Sequence, residues 1–259
     1  MLDLLEEFPG ADFPFTAYLG VLPPLRPRHY SISSSPLADP SRCTLTYGVI
    51  DQPNWADESK RFLGVTGSYL QRLRAGDQAL VAVRSTNKFF RLPAEPETTP
   101  LLMFCAGSGL APFRGFVQER AILVREGGRK LAPALLFVGC RSAEDDRLYA
   151  SEFEDWAAAG IVDVRYAFSR EKDHPMAQGC AHVSDRLVRD REDVFRLFAA
   201  GAKVYTCGSG EFAKDLGEAA RKIALDRAKS LGKSFATEEG VDEWFAERKN
   251  ERFVSDVFA

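Results

Sequence analysis

Short apolar runs dominate the first third of the chain, while longer ones alternate with amphipathic stretches in the remainder. In residues 43–50 (CTLTYGVI), 79–84 (ALVAVR) and 88–92 (KFFRL), β-branched and aromatic residues stand between turn formers. This pattern predicts antiparallel strands, arranged as a small barrel. One helix interrupts them after GVTG, where SYLQRL places Tyr69, Leu70 and Leu73 on a common side. The stretch RLPAEPETTP, residues 91–100, carries three prolines and reads as a linker, dividing the chain into 1–97 and 98–259.

Beyond the linker the apolar runs are of the buried type: 101–106 (LLMFCA), 134–140 (ALLFVGC), 162–168 (VDVRYAF) and 203–207 (KVYTC). Between and after them, 112–125, 148–159, 182–200 and 212–229 repeat apolar residues every three or four positions, the third with a break. Such alternation predicts βαβ units on a parallel sheet. A last helix over 238–249 begins acidic and ends basic, as the helix dipole prefers, and the tail RFVSDVFA reads as extended. The fold class is therefore α/β plus antiparallel β. Ligands of a doubly wound sheet bind beyond the carboxyl ends of its strands, so the segments that follow the strands are the ones to search.

Composition narrows the function classes. With 259 residues, 45% of them hydrophobic, and a net charge of −3, the chain suits two modest domains and offers no basic field for a phosphate backbone. Nucleic acid is not an expected partner. Cys43, Cys105, Cys140, Cys180 and Cys207 form no C-x-x-C pair, and their odd number argues for a reducing compartment. The histidines do not join them at zinc-like spacing, so no metal is expected. The acidic start MLDLLEEFPG is unlike a signal peptide, and no apolar run approaches the roughly 20 residues that span a bilayer. A cytoplasmic protein without a membrane span is the expectation.

Candidate chemistry gathers at the strand ends. After the first parallel strand comes AGSGLAPFRGF, in which Gly107 and Gly109 permit a tight turn and Pro112 suits the first turn of a helix. Read alone, the loop serves equally as an ordinary turn or as a cradle for a pyrophosphate. GCRS and CGSG put Cys140 and Cys207 at strand ends, where a thiol can pack or take part in chemistry. FSRE sets the Ser169 hydroxyl beside the Arg170 guanidinium, a pair suited to a phosphate monoester or to a solvated loop. RPRHYSISSSP, residues 26–36, reads by itself as a polar turn.

Taken in order, RPRHYSISSSP, GVTGSYL, AGSGLAPFRGFVQER, FVGCRS…RLYASEFEDW, YAFSRE, VYTCGSG and FVSDVFA resemble the FAD/NADPH domain of diflavin reductases, within the ferredoxin–NADP reductase superfamily. The likeness is in particular to the reductase half of self-sufficient, fatty-acid-hydroxylating haem monooxygenases. It implies a ferredoxin-reductase-like fold, an FAD-binding barrel followed by an NADP-binding α/β domain. It further implies that Arg28 binds the FAD pyrophosphate, that Tyr30 lies against the flavin, and that the Ser31 hydroxyl bonds near flavin N5. Thr46 and Gly48 match backbone positions beside the flavin, and Gly64, Val65 and Thr66 match the loop that caps the FAD pyrophosphate. Gly107, Ser108, Gly109 and Arg114 match the path of the NADPH pyrophosphate and nicotinamide; Arg141, Ser169, Arg170 and His182 match its adenosine and 2′-phosphate end. Cys207 and Asp256, with Ser31, match the residues around nicotinamide C4 and flavin N5, and Phe258 matches the aromatic that stacks on the flavin. Those roles are positional and electrostatic, since the cofactors carry the chemistry.

Three departures accompany the likeness. Ala181 and His182 stand where relatives carry a Lys and a Tyr for the 2′-phosphate, and Gly67 stands where a hydroxyl is usual. The FMN domain, the first barrel strands and the connecting domain have no counterpart in these residues, so the expectation is an N-terminally truncated chain with an incomplete barrel. The implied function is an NADPH-dependent flavoprotein reductase passing electrons to an FMN domain, a haem protein or an artificial acceptor. Two alternatives stay open: a non-catalytic NADP(H)-binding fragment, and a stand-alone ferredoxin-reductase-like enzyme.

Overall fold

Four apolar runs and the extended tail lie side by side as one parallel sheet in the computed structural model, which describes residues 2–84 and 88–258. With the elements of the N-terminal part numbered first, these strands are β3 (Leu101–Ala106), β4 (Ala134–Cys140), β5 (Asp163–Phe168), β6 (Lys203–Ser209) and β7 (Phe253–Phe258), in the order β5-β4-β3-β6-β7. The pleat sends alternate residues to opposite faces. Leu101, Met103 and Cys105 pack with Phe113 and Val117 of α4 (Ala111–Arg125) and with Phe153 and Trp156 of α5 (Ala150–Ala158). Leu102 and Phe104 pack on the other face with Leu187 of α6 (Val183–Arg189), Leu197 of α7 (Arg191–Ala199) and Leu216 of α8 (Gly210–Ser230). Burial on both faces explains why these strands read as continuous apolar runs.

The expected break in 182–200 falls at Asp190, between α6 and α7. Its carboxylate accepts from the buried Arg186 at 2.6 Å and from Arg165 at 3.2 Å, bonds that fix the chain at the break. α8 is capped by the Ser209 hydroxyl, which accepts from the Phe212 amide at 3.2 Å, and α9 (Glu238–Glu247) by Thr237, which accepts from the Gly240 amide at 3.1 Å. The tail does more than extend. It becomes β7, paired with β6 from Val204↔Phe253 to Ser209↔Phe258.

The N-terminal part carries a small antiparallel sheet, in keeping with the incomplete barrel expected, but not every strand that the sequence predicts. It contains α1 (Leu2–Glu7), α2 (Phe15–Val21), a hairpin of β1 (Asp51–Pro53) with β2 (Arg61–Leu63), and α3 (Val65–Arg72). The run 43–50 contributes one antiparallel bridge, Ile32↔Leu45, beside which the Ser33 amide donates to the Thr44 carbonyl at 2.8 Å. Residues 79–84 form no strand, and Leu80, Val81 and Val83 lie open to solvent. Residues 88–92 form a turn instead of a strand, with Phe90 packed between Phe113, Phe116 and Tyr205. The physical reason is common to all three runs: β propensity becomes a strand only where a neighbour accepts its hydrogen bonds, and no closed barrel supplies one among the described residues.

Candidate active site at the ends of the central strands

The strand order reverses between β3 and β6, the switch point at which a sheet of this kind opens a crevice. There the chain leaves β3 through a 3₁₀ turn, Gly107–Leu110, and enters α4. Gly107 adopts φ of 54°, and a Cβ on Gly109 would stand 2.2 Å from the Cys207 carbonyl oxygen. Glycine at these positions lets the turn lie against the end of β6, and the start of α4 follows directly, where backbone amides lack intrahelical partners.

Ser31, Cys207 and Asp256 meet on the same side. The Ser31 hydroxyl donates to the Asp256 carboxylate at 3.0 Å, and Asp256 is the register partner of Cys207 across β6 and β7. Burial, then the neighbouring Asp256 carboxylate, pushes the Cys207 thiol up to about 12. Cys140 is likewise pushed up to about 12, mainly by burial, and Cys105 is pushed well above the ordinary thiol range by burial and by Cys207 and Cys140. These thiols are therefore protonated packing groups and not nucleophiles. With Cys180 also buried and Cys43 exposed, a thiol reagent at pH 8 is expected to titrate one cysteine of the native chain and five after denaturation. Above roughly pH 8.5, where unfolded thiols ionise, the unfolded state binds fewer protons than the folded one, so stability falls as pH rises.

Other predicted residues lie nearby in distinct settings. Phe258 ends β7 as the partner of Ser209, with 38% of its surface exposed. Tyr30 meets Tyr47 edge-on at 5.8 Å, and the Thr46 hydroxyl shares a 2.7 Å hydrogen bond with the Tyr149 hydroxyl. Gly64 caps α3 and donates to the Ile50 carbonyl at 2.9 Å; Val65 and Thr66 open that helix, and its Gly67 lies against the backbone of Gly48. Arg28 is exposed and donates to the Arg26 carbonyl.

Beyond β5, Ser169 and Arg170 line an open cavity of about 590 Å³ with Lys172 and His174 and with the carboxylates of Glu144, Glu171 and Asp173. Arg141 is tied to Asp146 at 2.9 Å, and its carbonyl accepts from the Arg170 amide at 2.8 Å. Burial opposes ionisation of Asp146, but amide donation from Ser142 and the bonds from Arg141 outweigh it and lower its pKa. His182 stands at the start of α6, its amide donating to Asp185 at 2.9 Å, outside that cavity's lining.

Arg114 occupies a place that its sequence position does not announce. Its guanidinium pairs with Glu152 at 2.8 Å, donates to the Ser33 carbonyl at 2.8 Å and lies over the Tyr149 ring at 4.3 Å. Tyr149, in the left-handed backbone region at φ 55°, and Glu152 are site residues that sequence reasoning passed over. Their available signal was the segment RLYASEFEDW, which puts an aromatic and a carboxylate one helical turn apart.

Comparison with known proteins fits this arrangement. Residues 1–69 match the FAD binding domain, and residues 103–218 match the oxidoreductase NAD-binding domain. The chain thus combines an FAD binding domain with an oxidoreductase NAD-binding domain. A bifunctional cytochrome P-450/NADPH–P-450 reductase of Fusarium oxysporum is 49% identical to this chain over 258 residues, covering 100% of it and 24% of the relative. A similarly named protein of Acremonium egyptiacum is 42% identical over 260 residues, with 100% and 24% covered. A self-sufficient cytochrome P-450 monooxygenase of Phanerodontia chrysosporium is 43% identical over 259 residues, again with 100% and 24% covered. The chain thus spans about a quarter of the length of these relatives. Its own residues fit the two cofactors: a glycine turn at a helix start suits a pyrophosphate, and an aromatic beside a hydroxyl–carboxylate pair suits a flavin ring. No helix among the described residues is long and apolar enough to cross a membrane.

Proposed function

We propose that this chain is the FAD/NADPH unit of an electron-transfer flavoprotein, divided near residues 97 and 98, that accepts reducing equivalents from NADPH and passes electrons to an FMN or haem domain. The observation that carries this reading is the meeting of Ser31 with Asp256, beside Cys207, at the switch point of the sheet. When bound, FAD would supply the chemistry of hydride acceptance and of electron release one at a time. The residues supply the setting. The Ser31 hydroxyl is oriented by Asp256, Cys207 supplies a dry wall, and the turn at Gly107 with the start of α4 holds phosphate. Ser169 and Arg170 are the groups placed for a 2′-phosphate. The names of the fungal relatives support a haem monooxygenase as acceptor, and free cysteines support a cytoplasmic setting.

Purification with added FAD, followed by absorbance and NADPH-driven ferricyanide reduction, tests this directly. A yellow, active protein is expected; a colourless one that stays inactive in excess FAD overturns the enzymatic reading. The open run 79–84 favours a second reading, a non-catalytic NADP(H)-binding unit, whose signature is NADP⁺ binding by calorimetry without flavin retention.

Phe258, partly exposed at the end of β7, would lie over the flavin and yield to nicotinamide in this reading. A stacked aromatic contributes on the order of 0.5–1.5 kcal/mol beyond burial, so Phe258→Ala is expected to raise the NADH-to-NADPH rate ratio by up to about tenfold. An unchanged ratio removes Phe258 from that role.

A further inference from the structure

The resemblance places Arg114 along the nicotinamide nucleotide, yet its guanidinium is spent on protein groups. Both of its outer nitrogens and Nε are engaged: Nε and Nη2 make a bidentate pair with Glu152 at 3.0 Å each, and Nη1 donates to the Ser33 carbonyl at 2.8 Å. Nη1 also lies 3.3 Å from the Thr44 hydroxyl, and only 11% of the side chain is exposed. Tyr149 lies under the guanidinium and bonds Thr46. Ser33 and Thr44 are themselves joined, hydroxyl to hydroxyl, at 2.9 Å.

These contacts converge on one short pair of segments. Ser33 is two residues beyond Ser31, Thr46 is two beyond Thr44, and the bridge Ile32↔Leu45 lies between them. The neighbouring face of α4 grips the same pair: the Gln118 side chain accepts from the Ser35 amide at 2.8 Å, and Glu119 accepts from the Ser35 hydroxyl at 2.9 Å. A Cβ on Gly115 would stand 3.3 Å from the Ser34 carbonyl, so the helix and the strand are already in close approach.

We propose that Arg114 is a positioning residue: it clasps the Ser31-bearing segment to α4 and α5, and so fixes that segment relative to the turn Gly107–Leu110. The assignment rests on the proposed function for its consequence, but not for its geometry. A planar, permanently charged fork can satisfy a carboxylate with one edge and a carbonyl with the other; lysine cannot. Arg114 therefore acts through Ser31 and the turn and does not itself bind phosphate.

The test compares Arg114→Ala, Arg114→Lys and Glu152→Gln in the full chain by hydrogen–deuterium exchange and by calorimetric titration with adenosine 2′,5′-bisphosphate. Arg114→Ala is expected to speed exchange at amides 31–46 by about tenfold or more, because local opening there loses its lock. Affinity for the bisphosphate should stay within about twofold of the parent, as expected for a group that makes no ligand contact. Arg114→Lys should leave most of the faster exchange in place. In the FAD-loaded protein the loss should fall on kcat and not on the KM for NADPH. Bisphosphate or NADP⁺ affinity falling about tenfold while exchange is unchanged would overturn the clasp and make Arg114 a ligand contact. Should Arg114→Ala not fold, Glu152→Gln and Tyr149→Phe must still speed exchange at 31–46, and unchanged exchange in both overturns the proposal. Neither exchange nor bisphosphate binding requires flavin, so a parent chain that fails to hold FAD refutes the reductase reading alone.

Discussion

Asp256→Ala is expected to lower NADPH-driven ferricyanide reduction about a hundredfold with the fold intact, the scale on which loss of one preorganised polar group acts. Asp256 lies at the partly exposed end of β7, so its removal opens no cavity in the core. What it removes is the acceptor of the Ser31 hydroxyl, 3.0 Å away. Without that acceptor the hydroxyl rotates freely, and the lone pairs that it would turn toward a flavin edge while its proton lies on Asp256 are no longer fixed. Asp256→Asn keeps the shape and an acceptor oxygen while removing the charge, so its loss should be smaller. Steady-state kinetics separate the effects: the change is expected in kcat, with KM for NADPH within about threefold of the parent. Turnover of Asp256→Ala within about threefold of the parent would place Asp256 outside the reacting centre.

Gly109→Ala is expected to destabilise the chain by about 1–3 kcal/mol, the usual cost of forcing an extra group into filled space. The new Cβ would meet the Cys207 carbonyl oxygen at 2.2 Å, its carbon at 2.7 Å and the Gly208 Cα at 3.1 Å. All three are backbone atoms, so no rotamer change relieves the contact. Either the turn Gly107–Leu110 or the end of β6 must shift, and both border the crevice. A melting temperature lower by several degrees, at roughly 2–4 °C per kcal/mol, and weaker NADP⁺ binding are the expected readouts. Gly107→Ala is the control: a Cβ there meets nothing within 4 Å, and φ of 54° leaves only backbone strain. A Gly109→Ala protein that melts with the parent would show that the turn yields without cost.

The parallel sheet was legible because its strands are buried on both faces, which writes LLMFCA and ALLFVGC as unbroken apolar runs. The hairpin region was not. CTLTYGVI and ALVAVR have the composition of strands, but composition states a preference for a pleated surface and not the presence of a partner. β7 was legible only as extended chain, since its pairing with β6 links segments about fifty residues apart. At the site, motif order pointed to Ser31, Cys207 and Asp256, and the structure brings them together. Arg114 shows the limit of such reading: the resemblance sets it along the nicotinamide nucleotide, whereas the carboxylate that its guanidinium meets, Glu152, lies 38 residues further on.

The Ser31–Asp256 hydrogen bond joins residues 225 positions apart. Closure over such a distance is among the costliest and slowest steps available to a folding chain. The α/β layers can assemble from successive neighbours, but this bond cannot form until β7 has paired with β6. The crevice is therefore completed late in refolding, after β7 has joined the sheet. A chain with its sheet partly in place would hold the glycine turn before it held the Ser31–Asp256 pair.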